Sequence, residues 1–490
     1  MLFELLERQS LDRASHAAVI CEDASITWRE LFEQAARLAG GLRAWGVEEG
    51  EAVAVLLPNS PMLMAAMLAS ARIGAQVLPL GVDLKAPEVV SVLEAAQCRT
   101  LLAADSLSDL VRQILASGVR FRAIQNSRED FGMPSLARLA ADSPIAGKQS
   151  SASGAPFMQL LTSGTTGQPK RIVRTQAALC ALAAAYCDAT SISADDRILG
   201  AIPLYHGHGL CNGFLAPLYS GATLILQPAF DRRRTLRLLE DERITVFSAP
   251  PFMFSLLAGT LRREPFASPH LRLTITAGAP LDRAAWHKVR DTLGISLRQL
   301  YGASETGVVA INMDARPEES IESVGRPLSG VAVAIRDAAG RDLPAGAQGE
   351  IAVKSPAAAG WSATLDAGPT ELKKLADDQG WILMADEGRF DLEGRLYVTG
   401  RTSLFLNIAG RRVNPAQVEA VILSHPKVQK VSIVPMADAY GNQVAKAVVV
   451  CSGPCEPEEL VVFCRERLAN YKVPRVMEIV KCGASFPRLK

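Results

Sequence analysis

The chain has 490 residues, of which 49% are hydrophobic and 21% charged, with a formal net charge of +1. That length exceeds what one hydrophobic core supports, so two or more domains are expected, and the near-neutral charge excludes a general nucleic-acid binder. No run of about 18 apolar residues occurs, which excludes a membrane-spanning helix as an expectation.

Residues 1–16 carry Glu4, Glu7 and Arg8 between apolar positions, which predicts an amphipathic helix rather than a signal peptide. From Ser25 to Trp45 the apolar residues recur at helical spacing, with Ser25 or Thr27 as the cap. Ala52–Leu57 reads as a buried strand, Met62–Ile73 as a helix and Ala75–Leu80 as a strand. Leu199–Ile202, Thr223–Leu226, Val246–Ser248 and Leu273–Thr276 continue the alternation, which implies βαβ units and parallel sheet. Gly349–Lys354 and Leu396–Thr399 read as strands of a more antiparallel region. Beyond Arg401 the pattern resets: helix at Pro415–Ser424, strands at Val428–Pro435 and Ala445–Val450, helix at Glu456–Ala469. That stretch holds 13 Lys and Arg against 7 Asp and Glu, whereas the remainder holds 39 against 44. An anionic partner for the basic C-terminal part is one reading, and a solvated surface is the other. The nine Cys form no CxxC pair and read as free thiols in a reducing compartment; cytoplasm is the expected location. With no His near Cys451 and Cys455 in sequence, no zinc site is expected there.

The segment Leu161–Lys170 carries the strongest signal. Between an apolar strand (Phe157–Leu161) and a helix starting near Gln176 it sets Thr162, Ser163, Gly164, Thr165, Thr166 and Gly167, then Pro169 and Lys170. Hydroxyls and backbone N–H groups freed by glycine suit phosphate oxygens, and Lys170 adds a cation. The spacing is not that of a Walker A loop. Further along stand Thr276-Ala277-Gly278-Ala279-Pro280, then Tyr301-Gly302-Ala303-Ser304-Glu305, then Trp381…Asp386, then Gly400-Arg401 and Gly410…Pro415…Glu419.

In this order the segments resemble the adenylate-forming superfamily of acyl- and aryl-CoA synthetases, luciferase and peptide-synthetase adenylation domains. The resemblance implies an α/β fold. Its large N-terminal adenylation domain, 1–400, has parallel sheets with helices plus a β-rich subdomain. Its small mobile α+β domain, 401–490, hinges near 401–403. It implies ATP and Mg²⁺: Glu305 and Thr165 hold the metal, which neutralises departing pyrophosphate. Tyr301 lies along adenine beside Ala277, Gly278, Ala279, Gly302, Ala303 and Ser304; Asp386 and Arg401 take the nucleotide; Gly410 lines a thiol channel. His206, in Pro203–Leu210, stands next to the reacting carboxylate, with Lys170 and Glu305 as the other catalytic residues. Arg171 and Ser403 depart from the family pattern: many members have Gly at the first, and the hinge is usually Asp or Lys at the second. At the end, Tyr471-Lys472-Val473-Pro474 matches, but the family's terminal Lys would fall three residues past Lys490, so truncation is expected.

Gly207 stands where amino-acid-activating relatives carry Asp, so a buried ammonium would lack a counter-charge and an α-amino acid is not expected. Phe252, Ala277, Gly278, Ala279, Ala303 and Val308 suit an aryl or short- to medium-chain acid. The expected activity is an acid:CoA ligase. The rival is a stand-alone ligase loading the phosphopantetheine of a carrier protein, and a non-catalytic nucleotide-binding regulator is the reading from another class. Assembly as a homodimer is left open.

Overall fold

The computed structural model describes residues 1–119, 121–125, 135–139, 153–162, 170–261, 264–365, 372–401, 406–408, 411–438 and 443–480. Two large sheets carry the N-terminal part. One has eight strands and one nine, each a parallel run extended by antiparallel strands at an edge. The parallel strands are buried on both faces: Ala52–Leu56 has every residue enclosed, as expected of a strand covered by helices on both sides. The helix expected at 25–45 begins at Trp28, because Ala24–Thr27 pairs as a strand first. Thr27 is the cap, accepting from Glu30 N, while the Glu30 carboxylate reaches back to Thr27 N. The N-terminal helix runs Leu2–Asp12 and buries Leu2, Phe3 and Leu6. Among the described residues no helix is long and apolar enough to cross a membrane.

Four antiparallel strands, Ala332–Arg336, Gly349–Lys354, Ile382–Phe390 and Leu396–Arg401, form the β-rich part. Beyond it, Leu406–Ile408 and Arg411–Val413 pair as a short hairpin, and Val428–Ala437, Gln443–Cys451 and Val476–Val480 make a three-stranded sheet covered by helices Pro415–Leu423 and Pro457–Arg467. Leu406, Val413, Val418, Ile433, Val449 and Leu460 belong to the separate core of this unit.

The sequence places no histidine near Cys451 and Cys455, but the fold does. His425 Nε2 stands 3.5 Å from Glu459 Oε1, and the other carboxylate oxygen is 3.8 Å from Cys455 Sγ. The helix Pro457–Arg467 returns Glu459 against the loop that follows Pro415–Leu423, a proximity with no local trace in the chain.

Candidate active site

A cavity of about 610 Å³ opens between the two large sheets and the C-terminal unit. Of the residues singled out in the sequence, Thr162, His206, Ala277, Gly278, Gly302, Ala303, Ser304 and Val308 line it. Most come from the C-terminal ends of the strands Pro156–Thr162, Leu273–Thr276 and Arg298–Ala303 or the turns after them, while His206 precedes the short helix Gly207–Leu210 and Val308 lies in the strand Gly307–Ile311. This is where open parallel sheets place their ligands. Gly302 admits no side chain, since a Cβ would come within 2.5 Å of Gly307 O. Gly278 has φ +85°, a conformation that glycine adopts without strain.

Ser163 to Gly167, the centre of the phosphate-binding motif, lies outside the described residues, as do Ser403 and Gly410. The two ends of the motif are described. Thr162 and Lys170 face each other in the antiparallel register, and Thr364 pairs with Lys170 on its other side. Arg171 is 2% exposed and donates through Nη1 to Gln159 Oε1 at 3.0 Å, on the opposite face of the sheet from Lys170. Its Nε and Nη2 are enclosed with no hydrogen-bond partner among the described residues.

Tyr301 and Asp386 come together away from the cavity lining: the buried phenol donates to Asp386 Oδ2 at 2.8 Å. Asp386 is register-paired with Arg401, so three residues taken from separate motifs share one neighbourhood. Glu305 is half-buried and forms no ion pair among the described residues, while its backbone carbonyl accepts from Ala359 N. A carboxylate is the hard oxygen donor that a Mg²⁺ site requires. Ala279 sits just beyond Gly278, and Phe252 packs against the neighbouring core instead of lining the cavity.

His206 is held between Tyr205, whose ring centroid is 4.6 Å away, and the cavity. Its Nε2 is enclosed with no hydrogen-bond partner among the described residues. Burial first, and then the Arg411 cation, bring its pKa down to about 4, so the imidazole is neutral at pH 7. Burial likewise brings His208 down to about 4, and His208 Nε2 lies 2.7 Å from Ser248 Oγ.

The remaining wall comes from the C-terminal unit, through Arg411, Leu468, Tyr471 and Lys472. Arg411 pairs with Asp83 and stacks over the Tyr471 ring at 4.5 Å. Lys472 Nζ lies 2.6 Å from Glu88 Oε1, and Ala469 N donates to Glu88 Oε2 at 2.9 Å. Both members of the Lys472–Glu88 pair have side chains only 10% exposed. Asp83 and Glu88 escaped the sequence reading, and only their ion pairs with a distant basic segment identify them. Arg174 also escaped it; the structure puts it in the cavity wall.

Residues 6–360 match the family model described as AMP-binding enzyme, and residues 417–485 that of the AMP-binding enzyme C-terminal domain. The chain is 31% identical to a 2-succinylbenzoate–CoA ligase of Bacillus licheniformis, over 94% of this chain and 92% of that protein. It is 30% identical to a fatty acid–[acyl-carrier-protein] ligase of Streptomyces coeruleorubidus, over 96% and 90%. Among solved structures, a double mutant of o-succinylbenzoate CoA synthetase from Bacillus subtilis, bound with a product analogue, superposes with a TM-score of 0.85. That match has 26% identity and covers 99% of this chain and 95% of the other.

Proposed function

Because the chain belongs to the AMP-binding enzyme family, and is thereby an AMP-forming acid–thiol ligase using ATP and a carboxylic acid, we propose that it activates an aryl or short- to medium-chain acid at the cavity and completes the thioester there. The observation that carries this is the shared wall: motif residues Thr162, His206, Ala303 and Ser304 line one cavity with Arg411, Tyr471 and Lys472 of the C-terminal unit. We place the domain boundary at 400/401, with the hinge at 401–403.

In the first half-reaction a carboxylate oxygen attacks the α-phosphorus of ATP, and the bond to pyrophosphate breaks. Lys170, beside Thr162 at the foot of the loop, supplies positive charge to phosphate oxygens. Thr162 to Gly167 and the backbone turn at Ala277–Ala279 cradle the nucleotide, Tyr301 flanks its adenine, and Asp386 with Arg401 takes the ribose. Mg²⁺, held by Glu305 and Thr165, would neutralise the pyrophosphate as it leaves. A neutral His206 with a free Nε2 meets the acid without adding a charge that would tie down its nucleophilic oxygen. In the second half-reaction the sulfur attacks the acyl carbon and AMP leaves. The docked Arg411–Asp83 and Lys472–Glu88 pairs support reading this arrangement as the thioester-forming orientation, with Gly410 leading into the thiol channel.

CoA is the acceptor we favour, and the phosphopantetheine of a carrier protein is the second reading, supported by the likeness to the Streptomyces coeruleorubidus ligase. The expected location is the cytoplasm. ATP–pyrophosphate exchange across an acid panel, with CoA consumption measured alongside, tests the proposal. Exchange that depends on an acid of these classes and consumes CoA upholds it; exchange confined to α-amino acids overturns the substrate class.

A further inference from the structure

Arg174 is a cation in an unusual place. It lies on the strand Lys170–Thr175, is 1% exposed and forms part of the cavity wall. Its Nε and Nη2 donate to Ser304 O at 3.0 and 2.8 Å, and its Nη1 donates to Ala357 O at 2.6 Å. A guanidinium has five N–H groups. With three engaged, one remains on Nη1 and one on Nη2. Among the described residues no carboxylate lies within ion-pair distance of it, and Glu305 acts on it only through space. Burial lowers its pKa to about 10, so it is still charged at pH 7. An enclosed cation without an anion is costly, and two carbonyl dipoles offset that only in part.

The space in front of it is kept open. Gly307 also lines the cavity, and a Cβ there would come within 3.1 Å of Leu182 Cδ1 and 3.5 Å of Arg174 Nη2. Its φ of +76° would strain a side chain there as well. Leu182, Leu210 and Val308 in the same wall are apolar, and Cys211, which acts on Arg174 through space, is a buried thiol rather than an anion, its pKa raised by burial.

We infer that the anion completing Arg174 is brought by the substrate: the acid carries a second carboxylate on its apolar skeleton, which takes the two remaining N–H groups of Arg174 while the first carboxyl reacts beside His206. This rests on the ligase reading above and narrows its substrate to a diacid. A monoacid in the same pocket strips water from the guanidinium and returns no charge, so discrimination against it is large, as it is wherever a polar group built to meet substrate is left unpaired.

The test uses matched acids, 3-phenylpropanoate with 3-(2-carboxyphenyl)propanoate and octanoate with octanedioate, in pyrophosphate exchange on the full chain. The readout is the ratio of kcat/KM within each pair, for wild type, Arg174→Lys and Arg174→Met. The wild type should favour the diacid of at least one pair by ~10²-fold. Arg174→Met should abolish that ratio and Arg174→Lys should retain part of it. A wild-type preference for both monoacids overturns the inference and leaves the ligase reading standing. A ratio unchanged in Arg174→Met also overturns it, since a residue that only holds the Ser304 turn slows both members alike. Exchange with none of the four acids overturns the inference, and exchange absent across the wider acid panel overturns the ligase reading too.

Discussion

The phenol of Tyr301 donates to Asp386 Oδ2 at 2.8 Å, closing a bond between residues 85 apart in the chain and both buried. One end belongs to the strand that enters the cavity and the other to the β-rich sheet, so the bond fixes the edge of one against the other.

Tyr301→Phe keeps the ring and removes the donor, leaving the Asp386 carboxylate short of a partner. Steady-state kinetics should show KM for ATP raised about fivefold, the equivalent of ~1 kcal/mol, with a lowered Tm. Asp386→Ala, which also removes the proposed ribose contact, should cost ~10²-fold in kcat/KM for ATP. Unchanged ATP kinetics in both variants contradict the placement of the nucleotide here.

Lys170→Ala and Glu305→Gln should each slow pyrophosphate exchange by ~10²–10³-fold, the usual loss when charge aimed at a developing polyanion is removed. The Glu305 change should also flatten the dependence on Mg²⁺ concentration. Exchange rates equal to wild type in either variant remove that residue from the site.

Glu88→Gln leaves Lys472 with no carboxylate at a position where its side chain is only 10% exposed. A broken pair of this kind is expensive when it stays buried and cheap once the domain swings away. The thioester half-reaction, started from supplied acyl-AMP, should slow by ~10- to 100-fold, and adenylation should slow less. Equal damage to both half-reactions contradicts the docked arrangement as the thioester-forming one.

His206 and His208 are each held near pKa 4 by burial, against about 6.5 in an unfolded chain. Between those values the unfolded chain takes up protons that the folded one does not. Stability is therefore full above pH ~6.5 and falls as pH drops toward 4. Urea unfolding at pH 7.5 and pH 5 should show this loss, and His206→Phe should make it smaller. A stability that rises on acidification through this window contradicts the buried neutral imidazoles.

The fold was legible wherever a segment announced itself locally. Alternating apolar runs located the strands Thr223–Leu226, Val246–Ser248 and Leu273–Thr276 at the observed bounds. The hydroxyl-glycine run was read between a strand and a helix, whereas Lys170–Thr175 pairs as a strand before that helix begins at Gln176. What stayed hidden depends on distance in the chain. The Lys472–Glu88 pair spans 384 residues, and the strand Val476–Val480 finds its partner only once Gln443–Cys451 is in place. His425 meets Glu459 and Cys455 through helix packing with no spacing to signal it. Arg174 is one more charge in the sequence until the strand Lys170–Thr175 carries it into the sheet interior. Tyr301 and Asp386 were each visible as motif residues, but the bond between them was not.

The most direct test of the account is a single turnover followed by rapid quench, with enzyme in excess over acid and the acyl species resolved with time. Without CoA, acyl-AMP should form and persist on the enzyme with one pyrophosphate released per acid; on adding CoA it should decay into thioester, with AMP appearing at the same rate. Thioester formed without a preceding acyl-AMP, or acyl-AMP that CoA leaves untouched, would contradict the claim that one cavity shared by both domains carries out both steps.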